Sequence, residues 1–346
     1  MALVRVYLGT YRRNNLLPRA LNSLLNQTFS DWVCELHNDD PTDKFPEDLV
    51  RRTADPRITL VTHEENYGPT RSFNGFFKPI PETYFSILED DNWWEPQLLE
   101  RLLAETRAHP EVSIAWGNQR FWREEADGSW TDTGRNIWDR PEGAKPEVIE
   151  WPHPHPYGTF HSVGSMLARS AAVQGSMVPL TTDFAATEAY RERLYPFPLL
   201  LVPERLGNFA LTVGTSRSAD PALAAATAAL LAGSRFACTR PSDQELRQAW
   251  ARVSGPLRSR ASHILFYAAL FFPECRRLLR FAGVGDWLFF LAYSARHPLR
   301  ALRTIRLYGE KQNEKQFLIL HTRARTEESK RRKMSADQHL THAEQR

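Results

Sequence analysis

The sequence predicts an α/β fold: a mixed, mostly parallel sheet with flanking helices, followed by a helical C-terminal region. Three observations predict it. Short runs rich in Val, Ile, Leu and aromatic residues recur at 3–8, 32–37, 58–62, 84–88 and 112–116. Segments with apolar residues at helical spacing lie between several of these runs. From about residue 216 the strand-like runs stop and only helical patterns remain. Strands that alternate with helices favour a parallel sheet, because parallel neighbours need a crossover connection.

Residues 3–8 (LVRVYL) open the series as a strand. Leu16, Leu17, Ala20, Leu21, Leu24 and Leu25 then follow the spacing of one helix face. Asn14 or Asn15 can cap that helix, and Pro18 falls in its first turn, where a missing N–H costs little. WVCELH (32–37) and ITLVT (58–62) give two further strands, and YFSIL (84–88) a fourth that runs into Glu89-Asp90-Asp91. A helix is expected over 96–107 and a fifth strand at 112–116. Asp127-Gly128 is a hairpin-turn pair. The run WPHPHPYG (151–158) is expected to be irregular, because each proline removes a donor. Helical pattern resumes at 183–194, in the Ala-rich 220–233, after the capping box Ser242-x-x-Glu245, and in 261–282 and 286–308. The expected domains are therefore 1–215 (α/β), 216–322 (helical) and a tail, 323–346. The tail has so few large apolar residues that disorder is expected.

Composition narrows the function classes. Among 346 residues, 42% are apolar and 25% charged, which excludes a disordered or collagen-like chain. Cys34, Cys238 and Cys275 are too few for a disulfide framework or a four-Cys zinc site, so a reducing compartment is expected. The first residues, MALVRVYLGTYRR, lack the apolar core of a signal peptide. No apolar run is expected to span a bilayer; the longest candidates are 261–273 and 281–295, and the second carries Asp286. A cytoplasmic location follows as an expectation. The charge is unevenly spread: residues 251–346 hold 19 Lys+Arg and 8 Asp+Glu, net +11, against 25 and 33, net −8, in the rest. In 261–308, bulky apolar runs alternate with Arg276, Arg277, Arg280, Arg296, Arg300, Arg303 and Arg306. Such helices either dock on an anionic bilayer or pack on the protein with their arginines in water. No aromatic-plus-basic RNA motif accompanies them, so nucleic acid is not expected as a partner.

Three polar clusters lie at strand ends, where ligands of parallel sheets sit. Glu89-Asp90-Asp91 places three acids in a row, a solvated loop or a seat for a cation such as Mg²⁺ or Mn²⁺. His37-Asn38-Asp39-Asp40 reads as a turn or as a carboxylate that accepts from a base or ribose. Asn66-Tyr67-Gly68-Pro69-Thr70-Arg71 offers a guanidinium whose planar fork suits phosphate, or a surface arginine opening a helix.

Together these segments resemble glycosyltransferase family 2, with its GT-A fold. Val4–Arg12 (VRVYLGTYR) is similar to the family's first strand and loop, and Leu17–Trp32 to the helix and Gln-Thr-aromatic segment that follow. HNDDPTD (37–43) stands where the family shows Asp-Asp-Gly-Ser-Thr-Asp, NYGPTRSFNG (66–75) matches its Asn-x-Gly pattern, and LEDDNWWEP (88–96) its Asp-x-Asp metal motif. The resemblance implies a donor half over 1–118 and an acceptor half over 119–215. It implies a nucleotide-sugar donor, a UDP-sugar foremost, and a divalent metal, Mn²⁺ or Mg²⁺. Thr10, Tyr11, Arg12, Asp39, Arg71 and Asp90 would bind the donor. Asp91 would hold the metal, with Glu89 as a second candidate. The family's general base lies ahead of an Arg-Leu pair. Here Glu188 precedes Arg193-Leu194, and Asp183 is the alternative. His161, beside Val163-Gly164-Ser165, and Trp116 are candidates for the acceptor side. His153, His155 and His161 lack a fourth ligand at zinc spacing and are expected to line a groove or loop instead. The implied activity is inverting transfer of a sugar to a hydroxyl of a glycan or lipid-linked acceptor in cell-surface polysaccharide synthesis. Asn38 and Glu89 replace the family's usual first acids. They keep open the alternative of a nucleotide-sugar-binding protein without catalysis.

Overall fold

The computed structural model describes residues 2–153, 155, 158–214, 220–253 and 262–344. The chain forms two compact units. The first comprises 1–149, 161–180 and 197–215; the second comprises 150–160, 181–196 and 216–346. The expected acceptor half thus divides, since 150–160 and 181–196 fold with the C-terminal helices. The expected boundary at 215 falls in 215–219, outside the described residues.

The first unit is built on a sheet of ten strands among the described residues. They are β1 (Val4–Thr10), β2 (Trp32–Asn38), β3 (Ile58–Thr62), β4 (Tyr84–Glu89), β5 (Trp93–Trp94), β6 (Ile114–Glu124), β7 (Trp130–Asn136), β8 (Glu147–Ile149), β9 (Met166–Arg169) and β10 (Leu199–Leu211). Their order is β3-β2-β1-β4-β9-β6-β10-β5, with β7 beside β6 and β8 beside β10. The β3-β2-β1-β4 block is parallel. β9 enters antiparallel between β4 and β6, making the sheet mixed. The helices of this unit are α1 (Leu17–Leu25), α2 (Phe45–Thr53), α3 (Pro69–Gly75), α4 (Leu98–Ala108) and α5 (Ser170–Val173). Val4, Val6 and Leu8 of β1 and Leu36 of β2 share one core with Leu17, Leu21 and Leu24 of α1 and Leu98 and Leu102 of α4. Each such side chain contributes about 1.5–3 kcal/mol when fully buried. The five expected strands and the two expected helices of this region are present. The turn at Asp127-Gly128 links β6 to β7, with Gly128 at φ 80°. Neither Asn14 nor Asn15 caps α1, which has Leu16 at its N-cap. Asn14 instead donates to Asp43 Oδ1 at 3.3 Å.

The second unit contains α6 (Thr187–Arg191), α7 (Pro221–Thr239), α8 (Asp243–Val253), α9 (Ser262–Phe271), α10 (Val284–Arg296), α11 (Pro298–Glu310) and α12 (Gln312–Glu344). The Ser242 box opens α8: Ser242 N donates to Glu245 Oε2 at 2.8 Å and Glu245 N to Ser242 Oγ at 3.3 Å. The expected stretch 286–308 is two helices, because Pro298 cannot continue α10. Within 261–282, α9 gives way to a 3₁₀ segment, Pro273–Phe281, and residue 261 lies outside the described residues. α7 is long and apolar enough to cross a membrane by length and composition, which the sequence reading missed. Two-thirds of its apolar window is buried inside the protein (67%), as in a core helix.

The expectation of a disordered tail is overturned: 323–344 continue α12. Polar anchors replace the missing apolar ones. Trp151 Nε1 donates to Thr326 Oγ1 at 2.9 Å, and Ser329 Oγ donates to the Trp151 carbonyl at 2.8 Å. The Arg325 guanidinium stacks 4.4 Å from the Trp151 ring and donates to the Glu192 carbonyl. Residues 345–346 lie outside the described residues.

Candidate active site

Three strand ends meet at one edge of the parallel block. Thr10 lies opposite Asn38 in the β1–β2 register, and Gly9 opposite Glu89 in the β1–β4 register. The residues just past each end therefore converge, at the place where the strand order reverses around β1.

The first cluster joins the loop after β1 to the acids after β4. Thr10 Oγ1 donates to Asp90 Oδ2 at 2.8 Å. Arg13 pairs with Asp91 and lies 3.7 Å from Asp90 Oδ1. Asp90 is buried and its carboxyl is pushed up to about 7. Burial is the main cause; Arg13 opposes it and Asp91 adds to it. Arg19 fixes the loop by donating to the Asp91 carbonyl at 2.8 Å. Its guanidinium lies 3.8 Å from the Trp93 ring and 4.0 Å from the Trp130 ring. Burial pushes it down to about 10. Glu89 is turned elsewhere: Asn92 Nδ2 donates to its Oε2 at 2.7 Å, and a Cβ on Gly164 would lie 2.6 Å from that oxygen. Only glycine at 164 leaves this carboxylate its place.

The second cluster gathers around Asp39. Tyr67 N and His63 Nδ1 each lie 2.8 Å from Asp39 Oδ1, and Gly68 N donates to Oδ2 at 3.0 Å. Gly68, at φ 72°, supplies a backbone conformation that a side chain would strain. His63 Nε2 lies 3.0 Å from His37 Nδ1, and His37 Nε2 3.2 Å from Glu35 Oε2. Burial lowers the His37 imidazole, and its hydrogen bond holds Glu35 down to about 2. The rest of the segment is a turn: Asp40 N donates to Asn38 Oδ1 at 3.0 Å and Thr42 N to Asp40 Oδ1 at 2.9 Å. The turn reading of this cluster holds for Asn38 and Asp40, while Asp39 accepts from His63, Tyr67 and Gly68.

Tyr11 is 42% exposed at the rim. Arg12, at φ 53°, turns away from the acids after β4 and bonds Asp40 Oδ2 at 2.5 Å. Arg71, on α3, stacks 3.7 Å over Tyr67 and bonds Glu65 at 2.9 Å. Trp116 and His161 are buried and lie edge to face, with ring centroids 6.3 Å apart. Trp116 is wholly inside the sheet core and offers no open face for an acceptor. Asp183 and Glu188 belong to the second unit. Asp183 caps a 3₁₀ turn by accepting from Ala185 N at 2.9 Å, and Glu188 is half-buried in the first turn of α6. His153 is committed to Glu192 at 2.8 Å, and no group of three metal-ligating side chains occurs among the described residues. Sequence reasoning missed Arg13, Arg19 and His63. Arg13 was the one visible in principle, as the second cation of the Tyr-Arg-Arg loop.

The family described as "Glycosyl transferase family 2" matches residues 6–165. Residues 6–165 carry a family 2 glycosyltransferase domain. The clusters after β1, β2 and β4 all lie within this glycosyltransferase domain. Over 103 residues the chain is 30% identical to WcaA of Escherichia coli strain K12, named a colanic acid biosynthesis glycosyl transferase. That match covers 30% of this chain and 37% of WcaA. Over 118 residues it is 25% identical to the E. coli UDP-Glc:alpha-D-GlcNAc-diphosphoundecaprenol beta-1,3-glucosyltransferase WfgD, covering 34% of this chain and 45% of WfgD. The matches thus span less than half the length of these curated relatives. The fold extends further than the sequence likeness. S. aureus TarS 1-349, solved in complex with UDP, superposes with a TM-score of 0.55 at 11% identity, over 95% of this chain and 91% of that one. The glycosyltransferase domain has the GT-A fold.

Proposed function

We propose that this protein transfers a sugar from a nucleotide-diphosphate sugar, a UDP-sugar foremost, to a hydroxyl of a glycan or lipid-linked acceptor, with inversion, in cell-surface polysaccharide or glycolipid synthesis. The observation that carries this reading is the convergence of Thr10, Asp39, Asp90 and Asp91 at the carboxyl ends of three adjacent strands in a family 2 domain. The names of WfgD and of the TarS complexes, with UDP and with UDP-GlcNAc, support the choice of donor.

Asp39, held from three sides, accepts from the base. Tyr11 stacks beside it and Arg71 approaches the diphosphate. Asp90, fixed by Thr10, orients the ribose or sugar. The acids suit a hard divalent ion: among the described residues Asp91 Oδ1 has no hydrogen bond, and Mg²⁺ or Mn²⁺ takes one or two carboxylates plus substrate phosphates. When bound, an ion held by Asp91 would supply Lewis-acid stabilisation of the leaving diphosphate; Glu89, the second candidate, would first have to leave Asn92. Glu188 is the proposed base that removes the acceptor proton during attack, with Asp183 as runner-up. Glu188→Gln should keep donor affinity and lose transfer by about 10²-fold or more. Full transfer by Glu188→Gln, with loss in Asp183→Asn, reassigns the base.

The test of the whole reading is thermal melting with UDP, GDP, CDP and ADP, each with and without Mg²⁺ or Mn²⁺. A nucleotide at ~100 times its dissociation constant adds about 2.7 kcal/mol, a visible shift. A metal-dependent shift with UDP above the others is the expected result. No shift with any nucleotide overturns the proposal. A shift without turnover of any UDP-sugar favours the non-catalytic binder.

A further inference from the structure

α10 and α11 leave an apolar stripe in water. Val284, Trp287, Leu288 and Leu291 recur at helical spacing on α10 and are 77%, 40%, 62% and 58% exposed. Leu299, Leu302 and Ile305 do the same on α11, at 81%, 64% and 44%. None of the thirteen residues of α10 is fully buried. The helix is nevertheless anchored on its other side. Phe290 stacks on Phe266 with centroids 4.6 Å apart, and Tyr293 on His263 at 5.2 Å. The outward stripe is therefore a built face and not a frayed end. Contiguous apolar surface of this kind is unusual on a protein that meets only water.

The charges around the stripe identify its partner. Residues 273–310 carry seven arginines and three acids. Arg303 and Arg306 lie on the exposed side of α11 with side chains 64% and 81% accessible, in solvated ion pairs at 2.8 Å with Asp220 and Glu310, and Arg296 is exposed at the end of α10. Arginines bordering leucines let a helix pair lie in the headgroup layer, with apolar side chains in the acyl boundary and guanidinium groups among anionic headgroups. Trp287, half in and half out, has the residue type that favours that interface.

We propose that α10 and α11 form a docking surface for an anionic lipid bilayer. This rests on the second unit alone and stands whether or not the first unit transfers sugar. A second copy of the chain would leave like-charged arginine borders facing each other. A bilayer of acidic lipids neutralises them.

The full-length protein is sedimented with vesicles of phosphatidylcholine, alone or mixed with phosphatidylglycerol. It should bind the mixed vesicles at least tenfold better, with each bordering arginine contributing about fivefold at low salt. Leu288→Asp/Leu291→Asp, and separately Leu302→Asp, should abolish binding while leaving the circular dichroism and melting temperature unchanged, since all three leucines are exposed. Arg296→Gln/Arg306→Gln should weaken binding more than tenfold at low salt and little at high salt. Three outcomes overturn the proposal: wild-type protein that stays in the supernatant with mixed vesicles, binding that survives both leucine variants, or a dimer in light scattering that Leu288→Asp/Leu291→Asp dissolves without any vesicle binding.

Discussion

Asp91→Asn is expected to lower sugar transfer by about a thousandfold or more, the loss of several kcal/mol of charge stabilisation on the leaving diphosphate. The fold should be untouched. The loop that presents Asp91 is held by its backbone: Arg19 grips the Asp91 carbonyl at 2.8 Å, and Thr10 holds the neighbouring Asp90 at 2.8 Å. Removing one carboxylate charge frees Arg13, which still has Asp90 within 3.7 Å. The ion pair lost is partly solvated, and such pairs contribute about 0–1 kcal/mol. Circular dichroism and melting should therefore stay close to wild type while turnover collapses. Titrating Mn²⁺ gives the discriminating readout. If Asp91 serves the ion, the residual activity of the variant should need far more metal. Wild-type turnover with an unchanged metal requirement would sink the assignment.

Ending the chain at residue 322 is expected to lower the melting temperature by about 10 °C. On composition the tail looked expendable. In the fold its removal takes away the Thr326 acceptor from Trp151 Nε1, the Ser329 hydroxyl from the Trp151 carbonyl and the Arg325 donor from the Glu192 carbonyl. Each buried group left unpaired costs about 1–3 kcal/mol. That is a large fraction of a typical stability of 5–15 kcal/mol. Arg325→Ala alone should show part of the loss. A truncated protein that melts with the full-length one would mean that α12 adds nothing beyond 322.

These two results mark where sequence reasoning succeeds and where it stops. Val4, Val6 and Leu8, or Leu17, Leu21 and Leu24, announce their elements through spacing alone, because their partners are the nearest layer of the same sheet. The acids after β4 are legible for a related reason: charged residues directly after a buried run can only sit at its end. The tail gives no such signal. Its order depends on Trp151, which lies 175 residues from Thr326 and within a Pro/His run expected to be irregular. In sequence Arg12 and Arg13 read alike; backbone conformation separates them, and of the two only Arg12 sits at positive φ. Trp116 looked available to a sugar because an aromatic residue reads the same inside a core as on a rim. His63 stands a residue past β3, and only the β2–β3 pairing brings it to His37.

The chain of contacts from Asp39 through His63 and His37 to Glu35 carries a constraint of its own. A carboxylate can only accept, so each end of the chain takes one ring N–H. The contact between the two rings takes a third. Two neutral imidazoles bring one N–H apiece. The three contacts, at 2.8, 3.0 and 3.2 Å, therefore need three donors, one more than two neutral rings bring. With only two donors, one of the three contacts has no hydrogen bond. Which one is left open decides whether Asp39, Glu35 or both keep a ring donor.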